Sequence, residues 1–277
     1  MFLSETLLDT KGIQFTETDD EYAIFDIFKR SRPHLNIYVE TPKYILKTAN
    51  TFPEFKKFFS LRHAIFTGEY GAKTKSSRYD FDEYDALCDH LIIIDRSNDE
   101  ICGYYRMISD VFSHSFYSES EFNIDKIKEL YGNKLELGRA CIAKDHRNGQ
   151  TISLLWKGIG EYAKNLNCRY IFGLSSLSTD SLLLASAMYF HFENNDQTTA
   201  IPLARATGDY KVSLVVENLG DTNNINEEVP NLLKMYIAAG SKIVGYPAYD
   251  RDFNCFDFLT MLDLNEVSPS FKRRYFS

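Results

Sequence analysis

The sequence predicts a mixed α/β fold, a sheet flanked by helices, and three observations lead there. Segments of strand composition outnumber segments of helical periodicity, and the two alternate along the chain. Leu91–Asp95 and Ile101–Ile108 are apolar runs joined by Arg96-Ser97-Asn98-Asp99-Glu100, a hairpin turn by composition. Leu135–Ile142 is an apolar strand that leads through a short turn into an amphipathic helix. At 277 residues the chain is one large domain or two small ones, since a single core stops growing near ~250–300 residues. Residues 1–40 read as an N-terminal extension and residues 41–277 as the folded domain.

Taken in order, Asp19-Asp20-Glu21 opens a helix through Phe28, acidic residues suiting a helix N-terminus. Tyr44-Ile45-Leu46-Lys47 is a short strand. Thr51-Phe52-Pro53-Glu54 starts a helix, with Thr at the N-cap, Pro in the first turn and Glu at the third position. Phe55, Phe58, Phe59, Arg62, Ile65 and Phe66 follow at helical spacing. From Gly68 to Asp89 the chain is polar, charged and too long for an ordinary connection, so it reads as a functional loop. After the hairpin, a loop and a short helix lead to Leu135–Ile142. Asp145-His146-Arg147-Asn148-Gly149-Gln150 is a turn, and the next helix carries Ile152, Leu155, Trp156, Ile159 and Tyr162 on one face. Arg169–Leu174 is a strand and Thr179–Phe192 a mostly apolar helix. Residues 193–228 are polar and irregular apart from Val212–Val216. Pro230–Gly240 is a helix with Gly240 at its C-cap, and Lys242–Gly245 and Cys255–Leu262 are the final strands.

Composition excludes several function classes. Hydrophobic residues make up 44% of the chain, so disorder is not its dominant state. Lys plus Arg number 31 against 39 for Asp plus Glu, a formal charge of −8. General electrostatic binding of nucleic acid needs a basic excess and is not expected. No apolar run approaches the ~18 residues of a spanning helix. The opening residues, MFLSETLLDTKGIQ, lack the basic start and small-residue cleavage site of a signal peptide. The expectation is a cytoplasmic protein. Five scattered cysteines with no CxxC pair argue against a disulfide framework and a zinc site. Lys272-Arg273-Arg274 is a short basic run, ordinarily a solvated chain end and otherwise a candidate for peripheral contact with anionic lipid at the inner membrane face.

The chemistry concentrates in Leu135-Glu136-Leu137-Gly138-Arg139-Ala140-Cys141-Ile142. A charged Glu and a charged Arg in an apolar strand are costly to bury unless paired. Glu136 and Arg139 differ by three, so strict alternation puts them on opposite faces. A β-bulge at or next to Gly138 would bring both to one cleft. A structural ion pair is the competing reading. The helix N-terminus beyond the turn is an anion site by its free N–H groups and its dipole. Cys141, with no nearby His, reads as a buried core residue whose backbone belongs to the site.

These residues resemble known families. The strand–turn–helix resembles the acyl-CoA-binding core of GNAT acetyltransferases. Arg62-(x)3-Phe66, Asp80-x-Asp82-x-Tyr84-Asp85, Gly103-x-x-Arg106 and Glu136-x-x-Arg139 stand in the order seen in acyl-homoserine-lactone synthases. ELGRACI, LLWKGIGEYA and YPAYDRDFNCFDFL most resemble the hemolysin-like or ornithine-lipid-type N-acyltransferases, and the N-acyl amino acid synthases are also similar. The resemblance spans Tyr44 to Leu264 and implies a GNAT-like, mostly antiparallel twisted sheet. It departs at Arg147-Asn148-Gly149-Gln150-Thr151-Ile152, where Gln150 and Ile152 replace the Gly or Ala that lets a CoA pyrophosphate approach the backbone.

The implied activity is acyl transfer from acyl carrier protein to the amine of an amino acid or related small molecule. Acyl-phosphopantetheine is then a substrate, and no permanently bound cofactor or metal is expected. Glu136 is the expected base, with Arg106 and Arg139 pairing Asp82 and Asp85 to pin the acidic loop, and Arg62 in the same network. One of the arginines is the alternative partner for the acceptor's carboxylate. Phe66, His90, Cys141, Ile142 and Arg147 complete the expected site, with backbone N–H groups near Ala140–Ile142 holding the oxyanion. Phe52, Phe55, Phe58, Phe59, Phe66, Tyr104 and Tyr105 are expected to line an acyl tunnel. Two rivals are a homoserine-lactone synthase using S-adenosylmethionine and a non-catalytic acyl- or carrier-protein-binding module. Asp85→Asn is expected to cut activity with little change in melting temperature.

Overall fold

The computed structural model describes residues 17–71, 74, 76–216 and 225–276. One sheet runs in the order β1 (Tyr38–Glu40), β2 (Tyr44–Thr48), β3 (Asp89–Asp95), β4 (Glu100–Ser109), β6 (Asn133–Ile142), β7 (Cys168–Leu177), β11 (Cys255–Asp263) and β10 (Ala248–Asp250). A further strand, β9 (Lys242–Ile243), also pairs with β11. β5 (Phe122–Asn123) and β8 (Arg205–Ala206) make a separate two-stranded ribbon. Neighbours in the large sheet are antiparallel except β6 and β7, which are parallel. A parallel pair needs a crossover, and helix α4 (Gln150–Asn165) supplies it.

Alternation along the strands sorts the core into two faces. Leu155, Trp156, Ile159 and Tyr162 of α4 pack with Leu91, Tyr105, Met107 and Leu135 on one side. On the other side α2 (Phe52–Tyr70) buries Phe55, Phe58 and Phe59 against Ile92, Tyr104 and Cys141. The start of α2 is as its sequence predicts: Glu54 accepts hydrogen bonds from the backbone N–H of Asn50 (2.9 Å) and Thr51 (3.0 Å). It runs past Gly68 to Tyr70 and stops at Gly71, whose φ of 66° is the left-handed conformation of a helix end. Helix α1 (Glu17–Arg30) lies on α2 through Phe25–Phe52 and Phe28–Phe55 ring contacts, each 5.3 Å between centroids. Ile37 N donates to Thr48 Oγ1 at 3.0 Å beside β1. From Glu17 onward the N-terminal segment is therefore packed into the domain.

Beyond β7, α5 (Leu182–Asn194), α6 (Ile225–Glu228) and α7 (Asn231–Ala239) cover the far end of the sheet with Met188, Phe192 and Leu233. α5 begins three residues later than periodicity suggests because Ser181 caps it, its Oγ accepting from Leu184 N at 3.2 Å. A short α3 (Asp125–Glu129) precedes β6, and α8 (Pro269–Tyr275) packs on α4 through Trp156–Phe271 rings 5.0 Å apart. β1, β10 and α8 were not legible in the sequence, being three, three and seven residues long. The opening residues read for a signal peptide, and part of the irregular stretch 193–228, lie outside the described residues. No helix among the described residues is long and apolar enough to cross a membrane.

Candidate active site

β6 and β7 are the seam from which the site opens. Their parallel pairing runs only from Asn133–Cys168 to Glu136–Phe172. Beyond that point the strands part, and a cavity of about 650 Å³ lies between Leu137–Ile142 on one side and Leu174, Ser175, Ser176 and Ser178 on the other. At the fork a Cβ on Gly173 would stand 2.2 Å from Leu137 O, so the backbones meet there with no room for a side chain. Gly173→Ala should therefore destabilise the fold by about 1–3 kcal/mol, the usual cost of overpacking. A lower urea midpoint at unchanged slope would register this.

The bulge expected at or next to Gly138 is present. Cys141 pairs with Tyr104 and Gly138 with Arg106, so Arg139 and Ala140 together oppose Tyr105. The strained residue is Arg139 itself, at φ 51°. The extra residue turns Arg139 onto the face that carries Glu136, Arg106 and α2. There its guanidinium lies 5.6 Å from the Phe66 ring centre and 4.9 Å from that of Tyr117.

Behind this face, three arginines and three aspartates interlock. Arg62 Nε donates to Asp80 (2.8 Å) and Nη1 to Asp85 (2.6 Å). Arg106 Nη1 donates to both Asp82 oxygens (2.6 and 2.7 Å) and to Asp85 (3.2 Å). Arg139 Nη2 reaches Asp82 at 3.1 Å and its Nε lies 3.5 Å from Asp80. Burial disfavours all of these charges; the arginines outweigh it at Asp80 and Asp82, whereas at the fully buried Asp85 burial prevails over Arg62 and raises the pKa. Against burial, Arg106, Arg139 and Arg62 keep the Asp82 carboxyl below the usual carboxylate range. Arg106 Nε and Nη2 are buried without a hydrogen-bond partner, although Arg106 lines the cleft.

Glu136 also lines the cleft and is 2% exposed. Its carboxylate accepts from Tyr117 N (2.6 Å) and Ser118 N (2.8 Å), which fastens the 117–120 turn beneath the cleft. Burial raises its pKa, and the Ser118 and Tyr117 hydrogen bonds oppose that rise.

Of the other expected site residues, Phe66, Cys141, Ile142 and Arg147 line the cleft. Arg62, Asp82, Asp85 and His90 are not among its walls and form the layer behind it. His90 is buried, and burial followed by the Arg62 charge pushes its pKa down to about 3, so the ring is neutral. Its Nε2 lies 3.0 Å from the Asp85 carbonyl, which can only accept, so Nδ1 takes the Tyr104 hydroxyl proton's bond at 2.8 Å. His90 is a strut in this structure. Burial raises the Cys141 pKa, leaving a protonated thiol. Arg147 is tied to Glu69 Oε1 (2.7 Å) and the Ile142 carbonyl (2.9 Å) at the start of α4.

The aromatic tunnel needs correcting. Phe55, Phe58, Phe59 and Tyr104 are fully buried and stack among themselves; of the aromatics named for the tunnel, Phe66 and Tyr105 line the cleft. The apolar walls come instead from Ile65, Leu137, Ile152, Leu232, Leu233 and Met235. Three acids that sequence reasoning missed, Glu121, Asp250 and Asp257, also border the cleft. Asp257 had a signal: a lone charge in the apolar run Cys255–Leu262, where the burial argument used for Glu136 applies equally.

Residues 61–157 match the acetyltransferase (GNAT) domain family. The chain is 28% identical over 247 residues to the L-ornithine N(alpha)-acyltransferase of Rhodobacter capsulatus, covering 84% of this chain and 94% of that one. It is 27% identical to the enzyme of the same name from Agrobacterium fabrum, covering 78% and 79%. The solved structure of FeeM, an N-acyl amino acid synthase from uncultured soil microbes, shares the fold at a TM-score of 0.51 and 10% identity, covering 85% of this chain and 96% of that one. The forked sheet has a GNAT-like fold, and the domain match together with these relatives supports an acyltransferase. Within that class, the relatives are the L-ornithine N(alpha)-acyltransferases, as the resemblance read from the sequence anticipates.

Proposed function

We propose that the cleft transfers a fatty acyl group from acyl carrier protein to the α-amine of an amino acid, with ornithine, the substrate in the relatives' name, as the first acceptor to test. The fork between β6 and β7 carries this reading. It sets strand backbone, Arg106 and Glu136 on the wall of a cavity that also carries the apolar side chains of Ile65, Leu137, Ile152, Leu232, Leu233 and Met235. A bulge leaves backbone groups of its extra residue outside the ladder, which supports the reading that N–H groups near Ala140–Ile142 hold the thioester oxyanion.

An α-amine arrives mostly protonated at neutral pH. Glu136 takes a proton from it, directly or through water; each carboxylate oxygen keeps a lone pair beyond its backbone hydrogen bond. The amine nitrogen then attacks the thioester carbonyl carbon, the C–S bond breaks, the nitrogen gives up its second proton in becoming an amide, and the departing phosphopantetheine thiolate takes that proton, while Glu136 returns its own to solvent. Arg106 Nε and Nη2, lacking protein partners, are the candidates for the acceptor's carboxylate. In this reading acyl-phosphopantetheine is a substrate and the enzyme carries no resident cofactor.

Ile152 lies on the cleft wall and Gln150 opens α4, where a CoA pyrophosphate would need a bare backbone. Acyl carrier protein should therefore exceed the matching acyl-CoA in kcat/KM by about tenfold or more. Equal values for the two donors, followed by mass spectrometry of the acylated amino acid, would return CoA as the donor. The basic run on α8 lies against the start of α4: Arg274 Nη2 donates to Ser153 Oγ at 3.0 Å. That face is the proposed contact for carrier protein, and would also serve a peripheral contact with an anionic bilayer.

A further inference from the structure

Three buried carboxylates meet on the cleft wall: Glu121 just before β5, Asp250 in β10 and Asp257 in β11. One oxygen from each lies within 4.8 Å of the other two. Asp250 Oδ1 accepts from Asp252 N (2.8 Å) and Phe253 N (3.1 Å), and Asp257 accepts from Ser176 Oγ and Cys255 Sγ. Glu121 is different: it is 1% exposed, and its Oε2 has no hydrogen-bond partner. Among the described residues none of the ion pairs involves these three acids, and Arg139, which acts on Glu121 through space, is engaged by Asp80 and Asp82.

Like charges do not stay unpaired in so small a buried space. Burial, then the Asp257 and Asp250 charges, push Glu121 up to about 10, and burial raises Asp257 as well. Glu121 therefore holds a proton that an arriving cation would displace. As structure alone this is a poor arrangement, since uncharged polar groups would fill the same space without repulsion.

We propose that Glu121, Asp250 and Asp257 form the subsite for the terminal ammonium of the acceptor's side chain, so that the enzyme selects an aliphatic diamino acid. This rests on the acyl-transfer reading above. An ammonium offers three tetrahedral N–H donors; at a hydrogen-bond length of ~2.8 Å its three acceptors stand ~4.6 Å apart, a spacing the trio accommodates. An octahedral magnesium ion would draw neighbouring oxygens to ~3 Å. The subsite lies on β10 and β11 and the arginine network on β4 and β6, so one cleft offers separate places for the acceptor's two ends.

The test compares ornithine with norvaline, which has the same carbon skeleton without the terminal amine, using acyl carrier protein donor with EDTA present. Wild type should favour ornithine by about 10³-fold or more in kcat/KM, because a site built for a polar group rejects the analogue lacking it. In Glu121→Gln and in Asp257→Asn that ratio should fall by about 10²-fold, with the loss in KM for ornithine. Ligand-free melting temperatures of both variants should equal or exceed that of wild type, because an amide fills the same space with no carboxyl to keep protonated; a merely structural role would lower them. An undiminished ratio in both variants, or wild type that acylates the two amino acids equally, overturns the subsite and leaves acyl transfer standing. Failure to acylate any amino acid overturns the underlying reading instead. The subsite is then decided by thermal shift with ornithine alone: a shift in wild type that both variants lose supports it, and no shift overturns it. Activity abolished by EDTA and restored by magnesium or calcium in wild type, but not in Asp257→Asn, would assign the trio to a metal.

Discussion

Glu136→Gln should lower kcat by about 10²–10⁴-fold, the usual share of a general base, and should erase the acidic limb of the pH–rate profile. The sign follows from the carboxyl's surroundings. Burial raises its pKa and the Ser118 and Tyr117 hydrogen bonds oppose the rise, so the carboxyl ionises above the ordinary Glu value. A base works only when deprotonated, so wild-type kcat/KM should fall as pH drops through that raised value. Gln has no such titration, and the variant's residual rate should be flat across the same range. Folding will also suffer, because Gln presents one acceptor where Tyr117 N and Ser118 N both donate. A buried N–H left without a partner costs about 1–3 kcal/mol, which a melting curve will show. The two roles separate cleanly. If Glu136 only fastens the turn, the variant loses rate at every pH and the limb survives; that outcome removes it as the base.

How much of this site could be read from the chain depended on whether its signal was local. Leu135–Ile142 announces itself through the cost of burying two charges in an apolar strand, and Gly138 marks where the register slips. The slip lands on Arg139 because Gly138 keeps its place opposite Arg106, and an αL arginine leaves no trace in composition. The aromatics misled for a physical reason. A phenylalanine facing the sheet and one facing a cavity have the same spacing along a helix, and Phe55, Phe58 and Phe59 face the sheet. Half of the apolar wall that does line the cleft, Leu232, Leu233 and Met235, comes from α7, nearly a hundred residues after β6. Only the folded topology brings the two together. Glu121, Asp250 and Asp257 likewise sit in three separate segments, and two of the three have no local pattern at all.

The acidic segment behaves differently from what its sequence suggests. Read as a polar loop with nothing to hold it, it predicts that Asp85→Asn costs activity and spares the fold. In the structure Tyr79 and Ala86 are buried in the α2 core, and the Asp85 side chain is fully buried. Its Oδ1 takes Arg62 at 2.6 Å and Arg106 at 3.2 Å, while Oδ2 accepts Asp82 N at 2.8 Å. Those arginines belong to α2 and β4, so the contact joins two core elements. Asn would leave part of a buried guanidinium charge uncompensated, at a cost of ~3–5 kcal/mol. The expected result is a melting temperature lower by on the order of 10 °C, together with a large loss of kcat/KM. Asp82→Asn should contrast with it. Asp82 keeps 17% of its side chain exposed, and without it Arg106 still holds Asp85 and Arg139 still lies against Asp80. Its loss should cost less stability while freeing Arg106 and Arg139 to move in the cleft, so activity falls further than the melting temperature. The network also sets an acid limit. Asp80 and Asp82 are held below the usual carboxylate range by the arginines despite burial. Their stabilisation is fully present above the unfolded value of ~3.9 and is lost as pH falls below it. Melting temperatures of wild type, Asp82→Asn and Asp85→Asn, measured with kcat/KM at neutral pH and again, without activity, below pH ~3.9, decide the matter. Equal stability losses in the two variants would mean that the six charges act as one unit rather than as a core pair with a hinge beside it.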